Sequence, residues 1–417
     1  MSSIGVLSRC SFDFVSAVPY YRIMTSIESL YATWLDQRQK AGLKRELSQP
    51  VRPDARTLVH DGKTYLNAAS NDYLGLSFHP ELISRAREWV SRWGAGCGAS
   101  RLVTGNSEAI AAVESKLAAF KQAPAALVLA SGFQANASVL AALLDRTILG
   151  SEPLVLADRL NHSSMHFGLA AAGVRQVRYR HCDAAHLAQL LEQHEGDSRP
   201  KVILSETVFS MDGDIAPLDE LIRLARRHGA MLVLDDAHAT GILGEAGRGL
   251  SAGADVTIGT FSKAMGGFGA YVTCSPLVRD YLINRCTGLI YSTGLPPAVW
   301  GAIDAALDVM PSLDGERQRV AAMSARLRTG LSAMGFDTGA SATQIVPMMI
   351  GEERAALAMA ERLRAGGVWA TAIRPPTVPK GTARIRFALS AALADDDIET
   401  ILHVIREAAS ALPPRAA

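Results

Sequence analysis

Short apolar segments that alternate with helical patterns constrain the fold of the first two thirds of the chain. Each segment ends in polar or glycine residues. The segments are Ala126–Ala130, Leu154–Ala157, Val202–Leu204, Met231–Leu234 and Val256–Ile258. A clear helical pattern, Leu218–Arg227, separates two of them, and its basic end is followed by Gly229. Continuous apolar runs between helices indicate strands buried on both faces. The pattern therefore predicts an α/β domain with a mostly parallel sheet flanked by helices.

The chain has 417 residues, which is too long for one simple core. After the alternating region, helical patterns flank short strands near Ile345–Ile350 and Arg384–Ala388, as in a smaller α+β domain. We therefore predict four parts. They are a leader at 1–24, an N-terminal segment at 25–75, a large α/β domain at 76–298 and a small C-terminal α+β domain at 299–417.

Composition excludes several classes of protein. The formal net charge is +1, and no long basic stripe indicates a nucleic-acid site. The five cysteines are widely spaced and form no Cys-x-x-Cys pair, which favours a reducing compartment, the cytoplasm. No apolar run reaches the roughly 20 residues that span a bilayer. The start of the chain is a poor signal peptide, and Met24 is a candidate start.

Polar residues follow each predicted strand, at the edge where α/β sheets bind ligands. In chain order they are Ser131, Gly132 and Phe133; Asn161 and His162; Glu206 and Ser210; Asp235 and His238; Thr260 and Lys263. Together they offer a helix start for a phosphate, an aromatic ring, a carboxylate and a lysine. Pyridoxal phosphate (PLP) needs this set, because its aldehyde binds a lysine and its ring nitrogen stays protonated beside a carboxylate. We therefore predict PLP as the cofactor.

Simpler interpretations exist for these residues. Lys263 alone has the position of a solvated surface lysine, and Asp235 alone that of a helix cap. His162 and His166 are four residues apart and, with Asp235, are candidate ligands of a metal-dependent hydrolase. A helix-surface pair explains the two histidines more simply. The order and common placement of the whole set favour the PLP interpretation.

The chain resembles the α-oxoamine synthase family of fold-type I PLP enzymes, from about residue 30 to the C-terminus. The motifs that carry this resemblance are Tyr65–Asn67, Ser70–Leu76, Ser100–Gly105, Ser131–Phe133, Phe209–Asp214, Asp235–His238, Gly259–Lys263 and Ile290–Thr293. The stretch Ile373–Arg384 is most similar to the members that join L-alanine to a pimeloyl thioester in biotin biosynthesis.

The resemblance implies a role for each matching residue at the cofactor. Lys263 would form the Schiff base, Asp235 would pair with the ring nitrogen, and His162 would stack on the ring. His238 and Ser210 would bind the 3-oxygen. The phosphate would be held by Gly132, Phe133 and Thr260, with Ser292 or Thr293 of a second subunit.

The resemblance also implies substrate contacts. Arg386 would bind the amino acid carboxylate, and Asn71 and Glu206 would line the substrate site. Arg45 matches a family arginine only loosely. Arg374 precedes Pro375, which indicates an extended loop, and we expect this arginine near a substrate carboxylate.

The implied function is that of a homodimeric PLP acyltransferase with its active site at the subunit interface. It would condense L-alanine with pimeloyl-CoA or pimeloyl-acyl carrier protein, releasing carbon dioxide and thiol. Lys263 would remove the Cα proton, so we expect burial and positive neighbours to lower its pKa. The alternatives are a sister enzyme that uses glycine, serine or another acyl chain, and a non-catalytic PLP-fold binding protein.

Overall fold

The structure is a computed structural model that describes residues 25–410. The predicted leader, with Met24 as a candidate start, lies outside the described residues. The chain divides into two units, one ending at Gln49 and one starting at Pro50. In the first unit a helix, α1 (Ser26–Lys40), starts with a capping box between Thr25 and Glu28. None of its residues is buried.

The second unit contains all the strands of the described residues. They are β1 (Thr57–His60), β2 (Lys63–Asn67), β3 (Ala125–Leu129), β4 (Leu154–Asp158), β5 (Gln176–Tyr179), β6 (Lys201–Glu206), β7 (Met231–Asp235), β8 (Val256–Thr260), β9 (Ala270–Cys274), β10 (Ile345–Gly351), β11 (Val368–Trp369), β12 (Thr371–Ile373) and β13 (Ala383–Ala388).

Helices connect these strands. They are α2 (Pro80–Trp93), α3 (Glu108–Phe120), α4 (Gly132–Leu143), α5 (Arg146–Leu149), α6 (Ser163–Ala172), α7 (Ala184–Gln193), α8 (Leu218–Arg227), α9 (Pro276–Arg285), α10 (Thr287–Ile290), α11 (Pro297–Val309), α12 (Asp314–Ala333), α13 (Glu353–Ala365) and α14 (Asp395–Ser410). No helix of this described part is long and apolar enough to cross a bilayer.

A seven-stranded sheet has the order β3-β9-β8-β7-β6-β4-β5. All its pairs are parallel except the two made by β9, which runs antiparallel to β3 and β8. The predicted α/β fold with a mostly parallel sheet is therefore confirmed. The five predicted strands are present as β3, β4, β6, β7 and β8, whereas β5 and β9 were not predicted.

The sheet is buried on both faces, as its apolar strands require. Neighbours along one strand belong to different hydrophobic clusters: Val202 and Leu204 pack in one cluster, and Ile203 in another. Each such side chain contributes roughly 1.5–3 kcal/mol on burial. Because both faces are covered, polar groups gather at the strand ends, where the loops emerge.

The C-terminal part has an antiparallel sheet in the order β10-β13-β12. A third sheet joins distant parts of the chain, because β2 pairs in parallel with β11. One hydrophobic cluster includes Tyr73, Phe261, Trp300 and Phe387, and so extends across residue 298. The four-part division at that residue stays a prediction.

Candidate active site

A cavity of about 280 Å³ lies where the parallel strands end. It is lined by Ser131, Gly132, Phe133, Asn136, His162, Ser164, Glu206, Asp235, Ala237, His238, Thr260, Ser262 and Lys263. These residues end or follow β3, β4, β6, β7 and β8, whose carboxyl ends share one edge of the sheet. The structure thus brings together the predicted cofactor residues, apart from Ser210, and adds Asn136, Ser164 and Ser262.

The start of α4 forms one end of the cavity. Ser131 caps the helix, and its Oγ accepts a hydrogen bond from the N–H of Gln134 at 3.2 Å. The N–H groups of Gly132 and Phe133 donate to no acceptor within residues 25–410. Beside them, the Thr260 Oγ1 lies 2.7 Å from the Ser262 Oγ. Free N–H groups at the positive end of a helix, next to hydroxyls, suit a phosphate.

Asp235 is oriented by two donors. Its Oδ2 accepts from Asn136 Nδ2 at 2.6 Å, and its Oδ1 accepts from the N–H of Ala237 at 2.9 Å. Asn136 also donates to Ser164 Oγ at 3.0 Å, and its own Oδ1 is buried without a partner among the described residues. Sequence reasoning missed Asn136, although a buried amide on an otherwise apolar face of α4 was an available signal.

His162 lies at the start of α6, and its main-chain N–H is hydrogen-bonded to a residue of the sheet. Its N–H donates to Glu206 Oε1 at 2.6 Å, and its Nδ1 lies 2.6 Å from Ser164 Oγ. Loss of solvent contact and the charge of Lys263 lower the pKa of His162, partly opposed by Asp235. The ring is therefore neutral near pH 7.

The alternative interpretations of His162 concern its relation to His166. His162 caps the start of α6 and lines the cavity, whereas His166 lies one turn further along the helix and does not line it. The predicted metal group with His166 and Asp235 is not assembled either. Within residues 25–410, the group with metal-ligand spacing is Asp158, His181 and Cys182.

A buried network connects the cavity to the C-terminal sheet. The hydroxyl of Tyr73 lies 2.7 Å from His238 Nδ1 and donates to Asn71 Oδ1 at 3.1 Å. Arg386, on β13, donates to the same Asn71 oxygen at 3.2 Å and through Nε to the Ser210 carbonyl at 2.6 Å. Burial, with the charges of Lys263 and Arg386, holds the pKa of His238 well below its usual value. The network was not predicted, because it joins residues far apart in the chain.

Lys263 is recessed in the cavity. Burial lowers the pKa of its amine to about 8, assisted by Arg386 and opposed by Asp235 and Glu206. The expected depression of this pKa is confirmed. Burial and the nearby Asp235 raise the pKa of Glu206 well above its usual value.

The other predicted residues lie elsewhere. Ser210 lines a neighbouring cavity and contacts Arg386 through its carbonyl. Arg374 follows β12, and Arg45 lies in the first unit. Thr293 forms a β-bridge with Ser100. The roles predicted for these residues stay predictions.

The cavity fits PLP by the chemistry of its donors. The unpaired N–H groups of Gly132 and Phe133 suit a phosphate. The carboxylate of Asp235, which accepts two hydrogen bonds, suits a protonated ring nitrogen, and the amine of Lys263, with its lowered pKa, suits an aldehyde. The residues that would hold the group are Gly132, Phe133, Thr260, Asp235, His162 and Lys263.

Comparison with known proteins agrees with this fit. A model of the aminotransferase class I and II family matches residues 63–405. The 8-amino-7-oxononanoate synthase of Gluconacetobacter diazotrophicus is 53% identical over 392 residues, which cover 93% of this chain and 98% of the relative. The chain belongs to the 8-amino-7-oxononanoate synthase family. It is thus a PLP-dependent acyltransferase of the aminotransferase class I and II group.

Solved structures support the same fold. The serine palmitoyltransferase from S. paucimobilis with bound PLP–myriocin aldimine has a TM-score of 0.85 and 27% identity, covering 94% of this chain and 99% of that one. The 8-amino-7-oxononanoate synthase of Francisella tularensis has a TM-score of 0.71 and 24% identity, covering 83% and 98% of the two chains.

Proposed function

We propose that this chain condenses L-alanine with a pimeloyl thioester to give 8-amino-7-oxononanoate, carbon dioxide and free thiol. The observation that carries the proposal is the meeting of Lys263, Asp235 and His162 in one recess, in a chain whose relatives bear that enzyme's name. PLP, when bound, supplies an aldehyde that captures amines and a protonated ring that takes up electrons released at Cα.

Lys263 is the proton carrier in this proposal. Its pKa of about 8 leaves a useful fraction of neutral amine near pH 7.5. The neutral Nζ takes the proton from the Cα of alanine and later returns one to the product. Asp235, held by Asn136 and the Ala237 N–H, keeps a proton on the ring nitrogen. Replacing Asp235 with Asn should therefore reduce turnover much more than cofactor binding.

Arg386 binds the carboxylate of alanine. Its guanidinium is buried, and the Ser210 carbonyl and Asn71 set its orientation. Neither of these two acceptors carries a charge, so the positive charge stays available for a carboxylate. Tyr73 and His238 complete the polar wall, and the burial of both keeps water from the reacting carbon.

The loop between β12 and β13 acts on the acyl donor. It starts at Arg374, and Thr377, Val378 and Pro379 line the cavity that Ser210 also lines. Arg374→Ala should raise the KM for the acyl donor well above any effect on alanine. An equal effect on both substrates would argue against this role.

The assembly belongs to the same proposal. We propose a cytoplasmic homodimer in which Ser292 or Thr293 of the second subunit reaches the phosphate, with coenzyme A or acyl carrier protein as the carrier. The four described cysteines form no disulfide, which suits a reducing compartment.

A spectrum followed by a turnover assay tests the proposed function. The purified protein should be yellow, and borohydride should bleach the visible band and attach the cofactor to Lys263, as peptide mass spectrometry would show. Carboxyl-labelled L-alanine should then release carbon dioxide only when pimeloyl thioester is present. Faster turnover with glycine or serine would favour a sister enzyme. A yellow protein without any turnover would favour a binding protein.

A further inference from the structure

A second cavity, of about 620 Å³, adjoins the candidate active site. Its lining residues are Arg159, Leu160, Arg178, Phe209, Ser210, Met211, Asp212, Thr377, Val378, Pro379, Thr382 and Arg384. Ser210 connects the larger cavity to the buried network around Arg386, because it lines this cavity while its carbonyl accepts from Arg386 Nε at 2.6 Å. The larger cavity therefore begins next to the proposed carboxylate site for alanine.

The wall of this cavity combines apolar surface with arginines. Leu160, Phe209, Met211 and Val378 offer apolar surface that suits a chain of methylene groups. The buried Arg384 forms an ion pair with Asp212, so its charge is neutralised within the protein. The remaining charges of the wall come from Arg159 and Arg178.

Arg178 lies on β5, and Arg159 lies in the turn that directly follows the neighbouring strand β4. Ala157 of β4 is paired with Arg178 of β5, and Arg159 follows Ala157 by two positions. The N–H of Arg159 donates to the Tyr179 carbonyl at 3.2 Å, so the pairing continues to that point. The two residues therefore lie side by side at neighbouring strands, and both line the larger cavity.

These two arginines have no acidic partner among residues 25–410. No carboxylate lies within 4.0 Å of either guanidinium, and the nearest acidic residue in sequence, Asp158, is bound by His181. Two like charges on adjacent strands repel each other unless an anion lies between them. Their position at the cavity wall makes a bound ligand the natural source of that anion.

We propose that Arg159 and Arg178 bind an anionic group of the acyl donor, an inference that rests on the proposed function. A pimeloyl thioester offers two such anions: the carboxylate at the far end of the acyl chain and the phosphates of the carrier. Both present oxygen atoms that a pair of guanidinium groups binds by charge-assisted hydrogen bonds. This site is separate from Arg386, which is assigned to alanine.

The test uses the double variant Arg159→Gln/Arg178→Gln and the control Arg175→Gln. Arg175 is an exposed arginine just before β5 that does not line the cavity. In the double variant the KM for pimeloyl-CoA should rise about 5- to 25-fold, since each ion pair made by an exposed arginine contributes up to about fivefold. The control should stay within about twofold of the parent, and spectral titration with alanine should be unchanged in all proteins.

Two further thioesters identify the anion. Pimeloyl-N-acetylcysteamine lacks phosphate, and heptanoyl-CoA lacks the terminal carboxylate. A defect that persists with the first and vanishes with the second assigns the arginines to the carboxylate. The reverse result assigns them to the carrier. KM changes below about twofold with all three thioesters would overturn the proposal.

Calorimetry on the holoenzyme separates this inference from the proposed function. Titration with pimelate and with coenzyme A measures anion binding without turnover. If the parent releases no carbon dioxide from any pimeloyl thioester, the proposed function fails. If the parent turns over but the double variant binds both anions as tightly as the parent does, the arginine assignment fails. All three arginines are exposed, so the variants should keep the parent's circular dichroism and unfolding midpoint.

Discussion

His181 lies between two buried carboxylates, just after β5. Its Nδ1 lies 3.0 Å from Asp158 Oδ1, and its Nε2 lies 2.7 Å from Asp214 Oδ2. Carboxylate oxygens only accept hydrogen bonds, so both ring nitrogens donate and the imidazole carries a positive charge. Burial opposes this charge, but the hydrogen bonds to Asp158 and Asp214 outweigh it and raise the pKa of His181 to about 12.

His181→Gln should lower the free energy of unfolding by about 3–5 kcal/mol near pH 6. Asp158 is 1% exposed and Asp214 is 6% exposed, so the change leaves two buried carboxylates without their counter-charge. The loss is large against a total stability of about 5–15 kcal/mol. Urea unfolding followed by circular dichroism measures it. His403→Gln, on the exposed face of α14, is the control and should cost less than about 0.5 kcal/mol.

The difference in unfolding free energy between the parent and His181→Gln should also depend on pH. The pKa of His181 is higher in the folded protein than its ordinary value of 6.5, so the stabilisation is complete below about pH 6.5 and is lost as the pH rises through about 12. The difference in unfolding free energy between parent and variant should therefore narrow above pH 6.5, by about 1.4 kcal/mol per pH unit. A gap below about 1 kcal/mol, or one that does not change between pH 6 and 9, would refute the buried imidazolium.

Further predictions concern the recess and one loop. In cofactor-free protein, labelling of Lys263 by an amine-selective reagent should have its midpoint near pH 8, and a midpoint above pH 10 would contradict the desolvated amine. Asn136→Ala removes a donor to Asp235 and should weaken PLP binding by about 1–3 kcal/mol in equilibrium dialysis, whereas unchanged retention would show that the amide is dispensable. Gly213→Ala should lower the unfolding midpoint far more than Gly229→Ala. Both glycines have positive φ, but only at Gly213 would an added Cβ lie 2.0 Å from a carbonyl oxygen. Equal shifts of the midpoint in the two variants would argue against the clash.

The pattern of the sequence predicted much of the large domain. Buried parallel strands need apolar residues at every position, so β3, β4, β6, β7 and β8 were visible as continuous runs. The edge strand β5 was missed, because Gln176 and Arg178 give it a polar pattern. The run of β9 is apolar, but its antiparallel insertion between β3 and β8 depends on sheet pairing and is not encoded in local spacing.

The cofactor residues were predictable for a related reason. Asp235 ends a strand and Gly132, His162 and Lys263 each follow one, and the carboxyl ends of parallel strands lie at one edge of the sheet whatever the strand order. Asn136 and Tyr73 were missed as site residues, because neither follows a strand and each acts through a contact with a distant residue.

By itself the sequence determined which residues reach the cofactor edge, since that placement follows from local periodicity and strand direction. Only the tertiary structure decided how those residues behave. The neutral state of His238, the lowered pKa of Lys263 and the charge of His181 arise from burial and from partners brought together by folding. Desolvation and hydrogen bonding act through space, so no spacing along the chain reveals them.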